Sequence, residues 1–390
     1  MNNILITTIL REKGTTGVQT HFNELFNLYL DDHRFKLDAV TPFSHFKFIS
    51  FPIFGIRKLL PEKKFKFISI FWYRYWHYVF LFVSLLVEIL RKKPIIINAQ
   101  CPLSAKAAIT LKNFFNFKYK IFLTVHFNES QAKEFSILGY VSENSFYFHK
   151  IKSLEKRVLN NSDRIIFVSK YMKKLLEKEH NLDVGKSVLI HNWVRKVSEE
   201  DYYKRYYLNL NDNDFVLMNV GTLEKRKNQI FLIYILKDLK EHFSNIKLVL
   251  IGGGVCYAEY KKFICNYSLN KNILLLGNKK DAWRYLKVAD VYLCSSFSEN
   301  LPISLIEATR ASLPIISFNV GGISEIVFNN YNGYLCKKND KVEFMSKLVS
   351  LVHDENKRNF FAINSFKVYK EYFSNEYAKK HFDELFKVTF

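Results

Sequence analysis

Cysteine is scarce in this chain, and the five present, Cys101, Cys256, Cys265, Cys294 and Cys336, are odd in number, widely scattered and without C-x-x-C or zinc-like spacing. That pattern excludes a disulfide framework and makes a reducing cytoplasm the expected compartment. No His, Cys or carboxylate cluster has metal-ligand spacing, so neither a metal nor any other cofactor is expected. Asp212 and Asp214 form a D-x-D, but they precede a strand-like run and so belong to a turn at its amino end. The opening MNNILITTIL carries no basic leader and reads as a first strand instead of an export signal. Long apolar runs are missing too: residues 78–87 make the longest, about half of the roughly 20 needed to cross a bilayer, and no transmembrane span is predicted. Short-period repeats and low-complexity tracts are absent.

Acidic residues are in short supply, with 37 Asp and Glu against 58 Lys and Arg and a net charge of +21. The excess is uneven. Residues 47–120 hold 14 basic side chains and two acids, Glu62 and Glu88. An anionic surface is the implied partner. Within 43–75, Arg57, Lys58, Lys63, Lys64, Lys66 and Arg74 alternate with Phe46, Phe48, Phe51, Phe54, Phe65, Phe67, Phe71, Trp72 and Tyr73. Rings among headgroups and cations near an anionic leaflet suit a membrane interface, so a peripheral position on the inner membrane face is expected. The same rings also read as a layer of the first domain's core, and residues 79–90, ending in Arg91 to Lys93, are expected to be a helix of that kind. Nucleic acid is not expected as a partner, since no reading motif accompanies the charge.

A chain of 390 residues, 48% of them hydrophobic, is long enough for two domains. Strand-like runs at 4–8, 37–41, 95–99, 121–125, 165–169 and 188–191 alternate with helix-like segments. After a polar linker at 196–213 the rhythm restarts, with runs at 215–220, 247–251, 273–276, 291–294 and 315–318. Both halves predict a parallel sheet flanked by helices. Residues 374–386 predict a final helix capped by Ser374.

The segment 295–333, SSFSENLPISLIEATRASLPIISFNVGGISEIVFNNYNG, holds Glu299 and Glu307 with seven residues between them. The spacing predicts a strand, a turn at 298–301 and a helix whose first residue is Pro302. Backbone N–H groups around Asn300 and Leu301 and a positive helix end suit a phosphate or sugar hydroxyl, with Glu299 accepting from hydroxyls beside them. Glu307 has the two acceptor oxygens that a ribose diol needs. Each glutamate alone also reads as a cap or a surface residue. The run 215–220 leads into Lys225, Arg226 and Lys227, cations suited to a departing diphosphate. Gly252 to Gly254 mark a tight turn, and Gly14 and Gly17 lie before a helix at 18–30, where glycine lets backbone approach a ligand. His126 ends the run 121–125, and His21 reads as packing or surface.

The ordered string Glu299, Glu307, Val320, Gly321, Gly322 and Glu325 to Val327 resembles the signature of the family 4 retaining glycosyltransferases, and the resemblance spans nearly the whole chain. It implies an α/β protein of GT-B architecture: two Rossmann-like domains facing across a cleft, here 1–194 for the acceptor and 195–368 for the nucleotide sugar, with 369–390 as a helix crossing back. The resemblance places Glu299 at the donor sugar, Glu307 at the ribose, His126 near the sugar, Lys227 and Gly221 at the phosphates and Gly277 beside the base. Thr222 stands where the family has arginine, Thr16 where it has the first loop glycine, and His191 and Trp193 where it has Pro and Gly. Arg226 is a candidate replacement for the missing arginine. The implied reaction moves a sugar from a nucleoside diphosphate to a glycan or lipid-linked glycan acceptor with retention of configuration, as in cell-surface polysaccharide synthesis. A sugar-nucleotide epimerase of the same fold and a nucleic-acid-binding protein are the rival readings.

Overall fold

The computed structural model describes residues 2–387, except 12, 13, 15, 46, 57–65 and 138 and the side chains of Lys47, Lys66, Phe67 and Ser69. The aromatic and basic candidates Phe46, Arg57, Lys58, Lys63, Lys64 and Phe65, with the side chains of Lys66 and Phe67, therefore lie outside the described residues. Contacts divide the chain into two units, Met1–Ile190 with Leu385–Phe390, and His191–Glu384.

The first unit runs β1 (Asn2–Thr7), α1 (Gly17–Leu28), β2 (Phe35–Val40), α2 (Lys47–Ile56), α3 (Lys66–Lys92), β3 (Ile96–Ala99), α4 (Pro102–Phe115), β4 (Lys120–Val125), α5 (Gln131–Ile137), α6 (Phe146–Asn161), β5 (Arg164–Phe167), α7 (Lys170–His180) and β6 (Ser187–Leu189). Its sheet is parallel, in the order β2-β1-β3-β4-β5-β6. Ile6 of β1 lies opposite Ala39 on one side and Asn98 on the other. Ile4 to Thr7 are buried without alternation, as expected for a strand covered on both faces.

The second unit runs β7 (Phe215–Val220), α8 (Gln229–Leu239), β8 (Ile246–Ile251), α9 (Tyr257–Asn266), β9 (Ile273–Leu275), β10 (Val291–Cys294), α10 (Ile303–Arg310), β11 (Ile315–Phe318), β12 (Gly333–Cys336), α11 (Lys341–His353), α12 (Glu355–Tyr372) and α13 (Asn375–Lys387), whose residues from Leu385 onward count with the first unit. Its parallel sheet has the order β12-β11-β10-β7-β8-β9. This is the doubly wound Rossmann order, and the direction in which strands are added reverses between β7 and β10, where such sheets hold ligands at their carboxyl ends.

Three sequence expectations are corrected. Pro302 is the residue before α10, extended at φ −71° and ψ 122°, so the helix starts at Ile303. β12 was not foreseen, because four residues beginning with glycine carry no period. The helix expected at 79–90 is α3, 27 residues long, of which Ile70–Lys92 are long and apolar enough by length and composition to cross a membrane. Its aromatic first turns have rings on every side, which hid the helical period. Leu81, Leu85 and Ile89 nevertheless pack in one core with Leu5 and Ile97 of the sheet, and Glu88 is ion-paired to His45 and Lys92.

The residues that depart from the family pattern after β6 form a strap along the second unit. His191 meets Glu325 at 3.1 Å, Asn192 donates to the Leu301 carbonyl at 2.8 Å, and the Val194 carbonyl accepts from Tyr369 at 3.2 Å. Trp193 is fully buried with its ring edge-to-face on Phe382 of α13 at 5.4 Å. Ser374 caps that helix through the Tyr377 amide, while Phe386 near its end packs with Phe35 at 5.1 Å and Tyr29 at 5.6 Å. Trp193→Ala is expected to lower the stability of the second unit by about 3–5 kcal/mol, read as a fall in the urea midpoint; an unchanged midpoint would show that the indole is not a core element.

Candidate functional site

In the second unit the candidate residues converge on the reversal point of the sheet. The loop after β7 carries Gly221, Thr222, Glu224, Arg226 and Lys227; the loop after β10 carries Ser295 to Leu301. Lys227 Nζ donates to Glu299 Oε1. Arg226 Nη1 reaches Glu299 Oε2 at 3.3 Å and the Ser298 carbonyl at 2.8 Å, and its Nη2 donates to Glu224 at 2.7 Å. Main chain and side chain also bind the two loops directly: Phe297 N donates to the Arg226 carbonyl at 2.8 Å, and Ser295 Oγ to those of Asn228 at 2.8 Å and Lys227 at 3.2 Å.

Glu299 is only 4% exposed. Burial pushes its carboxyl upward, but the charges of Lys227 and Arg226 and the hydrogen bond from Lys227 outweigh this and hold it below its ordinary 4.5. The site therefore presents a buried carboxylate with a cation on each oxygen.

Three glycine loops set the floor. Gly252 N donates to the Gly277 carbonyl and Gly221 N to that of Ile251, both at 2.9 Å. A Cβ on Gly252 would fall 1.9 Å from the Gly221 carbonyl oxygen, so only glycine allows the two strand ends to meet. Gly221 lies against the stem of Lys227, where a Cβ would stand 3.9 Å from Cε. Gly321, at φ 56°, packs on the Glu299 carbonyl, where a Cβ would approach to 1.8 Å, and Gly322 N donates to the same oxygen at 3.2 Å. The Val-Gly-Gly turn thus fixes the backbone of the first glutamate. Thr222 accepts from Gln229 Nε2 through its carbonyl at 3.0 Å. Asn300 and Leu301 are buried, and Glu307 is half-buried on α10, beyond the same turn. Asp214, the second residue of the D-x-D, accepts from Asn211 N at 2.8 Å ahead of β7, at the other end of the strand from Lys227.

In the first unit His126 follows β4. Its Nε2 faces Gln100 Oε1 at 2.8 Å. Gln100 in turn donates to Asn98 Oδ1 at 3.1 Å and to Thr124 Oγ1 at 3.4 Å, and Thr124 donates to Asn98 at 2.9 Å. Since the amide oxygen can only accept, the ring proton sits on Nε2 and Nδ1 is left as an acceptor. Burial, followed by the neighbouring His21 ring at 4.6 Å, keeps the imidazole well below its ordinary 6.5. His21 is thus a direct neighbour of His126. Gly17 opens α1, one residue earlier than the sequence implied, behind a capping box of Thr16 and Gln19. Sequence reasoning missed Gln100, although a glutamine ending a buried strand run, INAQ, is the signal that could have found it. It also missed Ser295 and Glu224, whose roles depend on contacts between separate loops.

The comparisons with known proteins agree with this layout. The family model described as Glycosyltransferase Family 4 matches residues 17–196, and that described as Glycosyl transferases group 1 matches residues 204–368. An uncharacterized glycosyltransferase of Methanocaldococcus jannaschii is 31% identical over 62% of this chain and 61% of its own length. The UDP-Gal:alpha-D-GlcNAc-diphosphoundecaprenol alpha-1,3-galactosyltransferase of Escherichia coli is 29% identical over 52% of this chain and 55% of its own. The matches thus span less than two thirds of these relatives. Among solved structures, Anabaena Alr3699/HepE in complex with UDP-glucose has a TM-score of 0.75 and 16% identity, covering 99% of both chains. With one family model over its first half and the other over its second, and with two Rossmann-like parallel sheets, the chain belongs to the family 4 glycosyltransferases of GT-B type.

Proposed function

We propose that the protein transfers a sugar from a nucleoside-diphosphate donor to a glycan or lipid-linked glycan, with retention of configuration. The observation that carries this reading is the buried Glu299 held between Lys227 and Arg226 at the reversal point of the second sheet. One structural neighbour is in complex with UDP-glucose, and the acceptor in the name of one relative is a GlcNAc-diphosphoundecaprenol; both are consistent with it. A soluble donor and a lipid-borne acceptor would meet at a membrane surface, so a peripheral position on its cytoplasmic face fits this reading.

In the proposed mechanism the bond from the anomeric carbon to the diphosphate oxygen breaks while the acceptor oxygen attacks the same face. The acceptor proton passes to the departing phosphate, whose charge Lys227 and the amides of Asn300 and Leu301 stabilise. Glu299 accepts from sugar hydroxyls, Glu307 from the ribose, and neutral His126 offers Nδ1 to a sugar hydroxyl. Gly221, Thr222 and Gly277 supply backbone around phosphate and base, and Gly17 opens the helix end beside the first sheet. These steps rest on side chains and amides alone.

Four outcomes test this reading. UDP and UDP-sugars are expected to raise the melting temperature, since a ligand of the folded form stabilises it. Lys227→Ala is expected to cost about 2.7–4 kcal/mol in the barrier, about 10²- to 10³-fold in kcat, and full activity would remove the phosphate role. Glu307→Ala is expected to raise the KM for donor with little change in kcat, because a ribose contact is made equally in ground and transition states; unchanged turnover at low donor concentration would contradict it. The Glu299 carboxyl, lowered on folding, contributes stability that is full above pH 4.5 and is lost as pH falls toward its folded value. Glu299→Gln should flatten that part of the acid unfolding profile, and a profile identical to the parent's would show that the pair carries none of it.

A further inference from the structure

We propose that an exposed aromatic face formed by α2, the first turns of α3 and the start of α6 docks on an anionic lipid bilayer. On α2, Phe48 is 97% exposed, with Ile49 and Phe51 also exposed. Ile68 and Tyr75 on α3 and Phe146 at the start of α6 are exposed as well. These positions are joined by packing: Trp72 donates to the Ile53 carbonyl at 3.2 Å, linking α3 to α2, and Phe71 meets Tyr147 at 4.4 Å, linking α3 to α6. A face with this many bare apolar side chains marks an interaction surface.

Charge selects the occupant. Arg11, in the loop after β1, lies over Phe43 at 5.2 Å and Phe51 at 5.7 Å. Lys150 lies over Phe146 at 5.8 Å. Behind them Lys106 is held below the usual ammonium range, by burial first and then by the charges of Arg157, Lys150 and Arg74. Arg74 also stacks on Phe135 at 5.0 Å and donates to Gln131, so its role is partly to brace α5. A second copy of this chain would bring the same positive cluster against itself, and a nucleic acid would use the rings and cations but leave aliphatic Ile49 and Ile68 bare. Anionic headgroups above an acyl layer satisfy both features.

Docking also fits better than spanning. The carboxyl-terminal half of α3 supplies Leu81, Leu85 and Ile89 to the sheet core, so drawing it into a bilayer would uncover Leu5 and Ile97. Because α2 follows β2 and Arg11 follows β1, the docked face lies at the carboxyl end of the first sheet, which brings those loops to the membrane surface.

Lipid binding does not require the transferase reading, and the experiment keeps the two apart. The full chain is sedimented with vesicles of phosphatidylcholine alone or with about 30 mol% phosphatidylglycerol. Preference for the anionic vesicles, weakening as salt is raised, is expected. Phe48→Ser with Phe51→Ser, and separately Lys150→Glu with Arg157→Glu, are each expected to lower the partition about ten-fold or more, while circular dichroism and the melting shift with UDP stay as in the parent. Equal, weak recruitment by both vesicles overturns the proposal, as does unchanged partition of both variants. A dimer that Phe48→Ser with Phe51→Ser converts to monomer, seen by light scattering, assigns the face to a second copy and overturns it too. A chain that binds vesicles but not UDP supports docking and counts only against the transferase reading.

Discussion

A carboxylate with almost no exposure is tolerable only if its charge is answered, and in the second unit Glu299 is answered twice. Lys227 takes one oxygen and Arg226 the other. Desolvating an ion costs several kcal/mol unless partners and hydrogen bonds compensate, so the loops after β7 and β10 are obliged to stay in register with each other. The pair also carries a consequence for the proposed reaction. A sugar hydroxyl that donates to Glu299 must share an oxygen now held by Lys227, and the freed ammonium needs an anion. A sugar diphosphate brings both halves of that exchange together, so neither charge is stranded as the donor enters.

The exchange is useful only if the groups do not wander, and backbone contacts supply the rigidity. Gly252 lets the loop after β8 touch the loop after β7, and Gly321 lets the Val-Gly-Gly turn sit on the carbonyl of Glu299 itself. Ser295 binds the main chain at Lys227 and Asn228. In the first unit the same principle holds a neutral base: Gln100 is oriented by Asn98 and Thr124, and its oxygen fixes the tautomer of His126. Burial against His21 keeps that ring uncharged, so its Nδ1 remains an acceptor at neutral pH.

Much of this was legible in the residues. Strands such as Phe215–Val220, Val291–Cys294 and Ile315–Phe318 are short apolar runs bounded by polar turns, and their limits match the expected ones. The glutamates and the lysine could be found because strand ends and spacing locate them. What could not be read were contacts between loops distant in sequence: Arg226 with Ser298, Gln100 with His126, His191 with Glu325. The 27-residue α3 was misjudged because two environments are fused in one helix. From Leu81 onward it obeys the sheet's demand for one apolar stripe, and before that Phe71, Trp72, Tyr73, Tyr75 and Trp76 follow too closely for a period to survive.

Thr222 and Arg226 show how far a single substitution can be interpreted. Where the family pattern has an arginine after the first glycine, this chain has a threonine whose carbonyl is occupied by Gln229. The guanidinium four residues later donates to Ser298, Glu224 and Glu299, so most of its charge is spent on carboxylates of the protein. In the proposed reaction an arginine so engaged would act through the position of Glu299 more than by touching phosphate. The burden of stabilising a departing diphosphate in that reaction would then fall on Lys227 and on the amides after Glu299, a smaller set of donors than the family pattern implies. Fewer cations bind the donor less tightly, but they also hold the product less tightly. Where product release limits turnover, that loss of affinity is not a loss of rate.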